Sequence, residues 1–568
     1  MTASPVRRLV VLLAALIIAL VGVVARLGVL QVRRSSAYAE LGYEQRVRTV
    51  VLPAGRGEIL DRTGAPLAIS LDARDIYANP SYVEDPAGQA ATLAPLLRMK
   101  AGELRNLLAA DGTFVWLARQ VGRERAEHIE TLRLPGIDFL PSTRRYYPAD
   151  ALAAQVLGFV GVDGTGLSGL EAQYESVLAG TPGERTSELS PLGQQIAGGL
   201  DTISDPVAGS DLVLTIDREM QFQAQEYLHR AVEENHARGG TIIVMDPRTG
   251  DVYAMASAPS FDPNRFAEFP RSAYRNRAVT DTWEPGSVNK IITAAAALET
   301  GSVRLDQVFR VPPTRRLMGS TIHDAHEHGV EAMTLADIIA QSSNVGSSLV
   351  ADEVGSANLA SYFARFGFGQ ATGIGFPGEA SGLIPPLDEW TPIDRATMSF
   401  GSGVAVSPLQ MASVYATIAN GGRWVQPRLV RATRDASGVV RHTDSSPTHE
   451  VIDPSTAETL ARMLTYVVED GTGENARIPG YQVAGKTGTS KKLERRGYVD
   501  RYVASFIGFL PARKPQVVIA AVIDEPATVY GGVAAAPLFQ NVARYAIQRL
   551  GIEPARRVPL PRHALFLP

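Results

Sequence analysis

The sequence predicts a mixed α/β chain held at a membrane by one N-terminal helix. Three observations predict this. Residues 9–30 form an apolar run broken only by Arg26. Apolar, β-branched strand patterns lie at both ends of residues 206–553, and helical patterns fill the middle. Such an order favours a sheet built from both ends of the domain and wrapped by helices from between them.

The first element, residues 9–30, has 22 positions, which at about 1.5 Å per residue is enough to cross a bilayer. Arg7 and Arg8 also fit the basic start of a secretory signal peptide. The apolar stretch is longer than the roughly 7 to 15 residues usual there, which favours an uncleaved anchor. Arg26 can snorkel toward the headgroups. Arg7 and Arg8 on one side and Arg33 and Arg34 on the other leave the orientation open. Residues 31–205 mix short strands, turns and helical pieces without a repeat, and the turn formers of Gly199–Asp211 mark a domain boundary.

The second domain opens with strands at Thr241–Asp246 and Asp251–Ser257 around Pro247-Arg-Thr-Gly250, a hairpin signal. Ser287 opens a helix through Ile291, Ile292 and Ala294–Leu298 that Gly301 stops. Helices are expected at Thr334–Gln341, Pro408–Ala419 and Ala457–Val468, the last with a capping box from Ser455 to Glu458. Strands return at Tyr481–Ala484, Tyr502–Leu510 and Val517–Asp524, before a helix at Pro537–Leu550. Residues 554–568, with Arg556, Arg557 and Arg562, read as a solvated tail.

Composition narrows the chemistry. Lys and Arg number 55 against 59 Asp and Glu, a net charge of −4, which argues against a nucleic-acid binder resting on bulk positive charge. With 45% apolar and 20% charged residues over 568 positions, the chain can bury two to four domain cores. Cysteine is absent, so disulfides, thiolate-bound metals and thiol nucleophiles are excluded. A nucleophile must be oxygen or nitrogen.

Three short strings then stand in order: Ser287-Val-Asn-Lys290, Ser342-Ser-Asn344 and Lys486-Thr-Gly-Thr489. They match S-x-x-K, S-x-N and K-T-G, the serine acyl-transferase set. Each alone recurs by chance, and its bland reading is a solvated helix or turn. Order and spacing together carry the signal. Positions i and i+3 share a helix face, so Ser287 and Lys290 can meet. A serine hydroxyl needs a neighbour to take its proton. Lys290 can do so only when neutral, which burial and the charge of Lys486 favour. The helix start directs free N–H groups at a developing oxyanion. Lys486, Thr487 and Thr489 offer a cation and hydroxyls to a substrate carboxylate, and Gly488 lets a substrate backbone lie against the strand.

These strings, with Glu284-Pro-Gly before Ser287, Phe400-Gly-Ser-Gly403, Ser407-Pro-Leu-Gln410 and Gly485, resemble the class B, monofunctional penicillin-binding proteins. Arg56-Gly-Glu-Ile-Leu-Asp61-Arg62-x-Gly64, Arg145-Tyr-Tyr-Pro148 and Gly166-Leu-Ser-Gly-Leu-Glu171 with Tyr174 resemble the family's three pedestal motifs. The resemblance implies a penicillin-binding transpeptidase domain of the serine β-lactamase type, with an antiparallel sheet flanked by helices, at 206–553. It also implies an α+β pedestal at 31–205. Ser287 would be the acylated nucleophile and Lys290 its general base. Ser342 and Asn344 would relay protons and hold the substrate amide, and Lys486, Thr487 and Thr489 would bind the carboxylate. The N–H groups of Ser287 and Thr489 would form the oxyanion hole. Arg56, Asp61, Arg145 and Glu171 would form a buried inter-domain ion network.

The implied reaction is D,D-transpeptidation of peptidoglycan stem peptides, without cofactor or metal, with β-lactams acylating the same serine. That substrate lies outside the cytoplasmic membrane, so residues 1–8 would be cytoplasmic and the rest outside. Length and the compact N-terminal module favour the division-type, septal member over the elongation type. Polymerisation would fall to a partner, a polytopic SEDS-type glycosyltransferase, among other division proteins. The anchor and pedestal disfavour a soluble β-lactamase, and the pedestal motifs a D,D-carboxypeptidase. A non-enzymatic scaffold or β-lactam sensor would bind penicillin without cross-linking peptides. One departure is Asn289, where many relatives carry Phe, expected to alter packing beneath Ser287.

Other signals weigh less. Gly480–Thr487 satisfies the P-loop pattern, and an NTPase is the alternative class, but Tyr481–Ala484 reads as strand and Gly488 sits where a helix should begin. Gly373-Ile-Gly375-Phe-Pro-Gly378 carries Pro377 and no following helix, so it reads as a turn cluster. His323, His326 and His328 with Asp324 and Glu327 read as a solvated loop rather than a metal site, since no complete ligand set is present.

Overall fold

The computed structural model describes residues 4–33, 40, 42, 43, 46–190, 195–494 and 497–554. Arg34 and the tail arginines Arg556, Arg557 and Arg562 lie outside them. The chain divides into two compact units, residues 1–55 with 180–208, and residues 56–179 with 209–568.

In the first unit, α1 (Pro5–Gly28) starts earlier than the apolar run requires, with Pro5 in the first turn, where its missing N–H costs nothing. It continues through the turn Val29–Arg33. Over Pro5–Val32 it is long and apolar enough to cross a membrane, with mean hydropathy 2.8. The same unit holds a three-stranded antiparallel sheet of Val47–Leu52, Gly183–Glu188 and Asp201–Ser204.

The second unit runs β1 (Ile59–Leu60), β2 (Pro66–Ala78), β3 (Val115–Gly122), β4 (Ile137–Tyr146), β5 (Asp211–Leu214), α2 (Arg218–Glu234), β6 (Gly239–Met245) and β7 (Val252–Ala258). Then follow α3 (Lys290–Glu299), α4 (Leu335–Gln341), α5 (Asn344–Val354), α6 (Pro408–Ala419), β8 (Val430–Arg434) and α7 (Pro454–Asp470). It closes with β9 (Ala484–Glu494), β10 (Gly497–Leu510), β11 (Val517–Asp524) and α8 (Ala536–Leu550).

The central sheet has the order β7-β6-β11-β10-β9, antiparallel throughout, so strands from both ends of the domain meet as expected. Its inner strands β6 and β11 are mostly apolar and buried from Gly239 to Met245 and from Val517 to Ile523, because both faces are covered. Ile242, Val244, Ile519 and Phe506 pack with Met220, Ala224, Phe539 and Val542 of α2 and α8. The alternate residues Ile243, Met245, Ala520 and Ile507 join the larger core with Ile292, Tyr415 and Leu460 of α3, α6 and α7. A second sheet, in the order Val440–His442, β8, β5, β1, β2, β3, with β4 also on β2, joins segments distant in sequence. Asp211 fastens it, accepting from the Glu58 N–H at 2.6 Å and from Arg434 Nε at 2.8 Å.

Three local expectations change. Tyr481 closes a turn onto the Ile478 carbonyl at 3.1 Å, so β9 begins only at Ala484 rather than at Tyr481. The capping box expected from Ser455 to Glu458 does not form, because α7 starts behind Asp453 with Pro454 in its first turn and both residues lie inside the helix. The helix expected from Ser287 begins as a single 3-10 turn, Gly286–Asn289, and becomes α-helical at Lys290.

Candidate active site

Ser287 sits on that 3-10 turn, at the mouth of a cleft of about 820 Å³ that Ser342, Asn344, Thr487 and Thr489 also line. The turn is wedged between β9 and the loop around Gly401. Gly286 has φ +59°, and a Cβ there would lie 2.8 Å from the Thr489 carbonyl, so only glycine fits. Gly488 serves the same contact from the other side. Its missing side chain makes room for the Ser505 hydroxyl and the Pro285 carbonyl, so protein takes the space that the sequence reading assigned to substrate. Below the turn, Asn289 is fully buried and donates to the Met398 carbonyl at 2.8 Å, and the Tyr415 hydroxyl donates to the Val288 carbonyl at 3.0 Å. Asn289 thus lies in the packing beneath Ser287.

Ser342 ends α4 with φ +61°, an uncommon conformation for a residue with a Cβ. This turn aims its hydroxyl and carbonyl at two lysines. Lys290 donates to the Ser342 carbonyl, to Asn344 Oδ1 at 2.8 Å and to Ser342 Oγ at 3.3 Å. Lys486, on the edge strand β9, donates to Ser342 Oγ at 2.9 Å and to Thr487 Oγ1 at 3.2 Å. Both lysines are 0% exposed. Burial holds Lys290 well below the ordinary lysine range, and the charge of Lys486 pushes it further against the opposing pull of Asp324. Burial alone brings Lys486 down to about 7. The structure therefore brings Ser287, Lys290, Ser342, Asn344, Lys486, Thr487, Gly488 and Thr489 into one region. The protons of Lys290 face Ser342 and Asn344 rather than the Ser287 hydroxyl.

At the site, Thr472 carries no motif in the sequence, and Asp324 stands there only as part of an expected solvated loop. Thr472 Oγ1 lies 2.8 Å from Thr487 Oγ1 and accepts from Lys486 at 3.4 Å. Asp324 accepts from Ser343 Oγ at 2.6 Å and from the N–H groups of Asn344 and Val345 at 2.5 and 2.9 Å, capping α5 where Asn344 begins it. Its side chain is 5% exposed and bonds His328 Nε2 at 3.0 Å. Burial lowers the His328 pKa, but the Asp324 carboxylate and the Gly329 carbonyl more than offset it and the net shift is upward. The expected solvated loop is corrected here: His323 and His326 are exposed, whereas Asp324 and His328 brace the Ser342–Asn344 turn. No sequence periodicity marks such a brace.

Away from the cleft, Glu171 is fully buried and accepts from Arg56 Nε and Arg145 Nε, each at 2.7 Å. Glu175 adds a contact to Arg56 at 2.8 Å. Asp61 is not part of this network. Its Oδ1 accepts from the N–H groups of Thr63 and Ala65 at 2.7 and 2.9 Å, and its Oδ2 from the Arg218 N–H at 3.2 Å, which fixes the β1–β2 turn to the start of α2. The P-loop reading fails on geometry, since Lys486 and Thr487 lie within β9 and no helix starts there.

Residues 240–544 match the family described as the penicillin binding protein transpeptidase domain, and residues 51–214 the penicillin-binding protein dimerisation domain. The chain belongs to the penicillin-binding proteins, in their class B. Among its relatives, it is 36% identical over 558 residues to the peptidoglycan D,D-transpeptidase FtsI of Escherichia coli K12, covering 96% of this chain and 92% of that one. It is 34% identical over 554 residues to the probable peptidoglycan D,D-transpeptidase PbpC of Pseudomonas aeruginosa, covering 96% of each. Among solved structures, penicillin-binding protein 3 of Mycobacterium tuberculosis complexed with aztreonam superimposes with a TM-score of 0.71 at 33% identity, over 89% of this chain and 98% of that one. A peptidoglycan synthetase from Bifidobacterium adolescentis does so with a TM-score of 0.75 at 30% identity, over 92% and 99%.

Proposed function

We propose that this penicillin-binding protein cross-links peptidoglycan stem peptides through an acyl-enzyme on Ser287, as a division-type D,D-transpeptidase. One observation supports the assignment of roles: two fully buried lysines converge on Ser342 beside the cleft that Ser287 lines, with no carboxylate among the described residues bonded to either. Burial and the neighbouring charge of Lys486 favour the neutral form of Lys290, and a neutral amine is a base.

The donor peptide lies along the edge strand β9 as an added strand, with its terminal carboxylate at Lys486, Thr487 and Thr489. Ser287 Oγ attacks the penultimate D-alanine carbonyl and gives its proton to Lys290. The N–H groups of Ser287 and Thr489 hold the resulting oxyanion. Its collapse breaks the C–N bond, and D-alanine leaves with a proton relayed by Ser342. An amine of a second stem then attacks the ester and gives a proton to Lys290, the C–Oγ bond breaks, and Lys290 passes that proton to Ser287. Asn344 holds the donor amide. A β-lactam opens on the same serine.

Residues 31–205 serve as the pedestal and 206–553 as the catalytic domain. The substrate places residues 1–8 in the cytoplasm and the catalytic domain outside, at the septum. Cross-linking consumes newly polymerised glycan, so a SEDS-type glycosyltransferase and other division proteins are the partners.

Fluorescent penicillin should label the wild type and not Ser287→Ala. Undiminished labelling of the variant would remove Ser287 from the mechanism. Depletion should give filamentous cells, and round cells would reassign the protein to elongation.

A further inference from the structure

Asp324 braces the Ser342–Asn344 turn with both carboxylate oxygens. Its Oδ1 accepts from the N–H groups of Asn344 and Val345, and its Oδ2 from the Ser343 hydroxyl and from His328 Nε2. These bonds set the start of α5 and with it Asn344, whose Oδ1 accepts from Lys290 at 2.8 Å. They also bring a negative charge toward the base. Burial and the charge of Lys486 favour the neutral form of Lys290, and Asp324 opposes both. A carboxylate that serves as a brace here works against the chemistry.

His328 is placed to relieve that conflict. Its side chain is 11% exposed, with Nε2 3.0 Å from Asp324 Oδ2 and Nδ1 2.6 Å from the Gly329 carbonyl. Both neighbours are acceptors. A neutral imidazole has one N–H and would turn a lone pair on one of these oxygens, whereas an imidazolium donates to both. The contacts therefore select the cation. Burial works against it, but Asp324 and the Gly329 carbonyl outweigh burial, and Glu331 acts in the same sense. The charged groups set against this ring are thus Asp324 and Glu331, with Lys290 and Lys486 beyond Asp324.

We propose that His328 is a positioning residue that works as an imidazolium: its charge balances Asp324, so that the carboxylate can set Asn344 without holding a proton on Lys290. An Asp324–His328 ion pair presents little net charge to the lysine, whereas Asp324 alone presents a full one. This rests on the acyl-enzyme reading above and deepens it, since it concerns the base of that step.

The test follows the rate of acylation by fluorescent penicillin in the full chain between about pH 5 and 8. The rate should rise with pH as Lys290 gives up its proton. In His328→Gln, which keeps a donor for Asp324 without the charge, that rise should move up by about one pH unit. On the acid side this is about tenfold in rate, with little change at the plateau. Glu331 and Lys486 are present in every variant, so the displacement belongs to position 328. His328→Arg, a cation with a planar donor, should bring the rise back toward its wild-type position. A rise that stays in place in His328→Gln, a loss equal at every pH, or a displacement that His328→Arg shares overturns the proposal. Should His328→Gln fail to fold, NMR of the ring nitrogens in the wild type decides. One histidine should still hold both ring protons above the ordinary 6.5, and a protein in which none does so overturns it. Failure of the acyl-enzyme reading shows separately, as label on Ser287→Ala.

Discussion

Around Glu171 two guanidiniums share one carboxylate, whereas around Ser342 two ammoniums share one hydroxyl. Both clusters are buried in the same compact unit. In the first, burial works against the charge of Arg56, but Glu171 and Glu175 win and its pKa rises. In the second the partners are neutral, burial prevails, and both lysine pKa values fall. A fixed charge holds structure, whereas a charge that burial makes costly can be given up and regained. The difference separates scaffold from chemistry without reference to any motif.

The largest expected effect strikes the second cluster alone. Lys290→Met should slow acylation by fluorescent penicillin by about 10² to 10⁴, the range for a lost general base, while thermal unfolding changes little, since the lost hydrogen bonds to Ser342 and Asn344 are offset by removal of a buried amine that burial makes costly to charge. Parallel losses of labelling and of stability would show that the lysine is structural. Glu171→Ala should do the converse. It strands two buried guanidiniums and should cost about 3–5 kcal/mol in denaturant unfolding, with acylation of the remaining folded protein little changed.

A subtler contrast lies in pH. The native Lys486 pKa of about 7 is below the ordinary 10.5, so between those values the unfolded chain keeps a proton that the native protein has released. Unfolding free energy should therefore rise with pH across that window, and the benefit contributed by this group disappears as pH falls to 7. Lys486→Met should flatten the rise, and an unaltered slope would contradict the burial argument. The smallest effect belongs to Thr472→Val, which removes one hydrogen bond to Thr487. At about 1 kcal/mol, it should weaken binding of carboxylate-bearing β-lactams about fivefold, with unfolding unaffected.

The sequence makes the second cluster easier to see than its supports. Strands β6, β7 and β11 are visible because residues covered on both faces are predominantly apolar. That same rule misplaces the start of β9, where the buried pair Gln482–Val483 follows the Ile478–Tyr481 turn and lies outside the strand. Ser455 and Glu458 have capping-box spacing, yet Pro454 already fills the first turn ahead of them. Among the site residues, Ser287, Lys290, Ser342 and Lys486 carry their spacing with them. Asp324 and Thr472 do not, because each acts through a turn that another segment completes. Asp61 kept company with Arg56 in a motif but bonds elsewhere, since a carboxylate two residues before a turn N–H finds that donor first.

Asp211 has one partner 153 residues before it and another 223 residues after it. A ribosome releases those three segments tens of seconds apart, long on the scale of local folding, so β1 and β2 emerge well before β5 and β8, which complete their sheet. During that interval their open edges can pair with other nascent chains. The lobe formed by residues 56–179 is thus made first yet waits for β5 and β8 before its sheet is complete, and its assembly should add to the demand for escort during export.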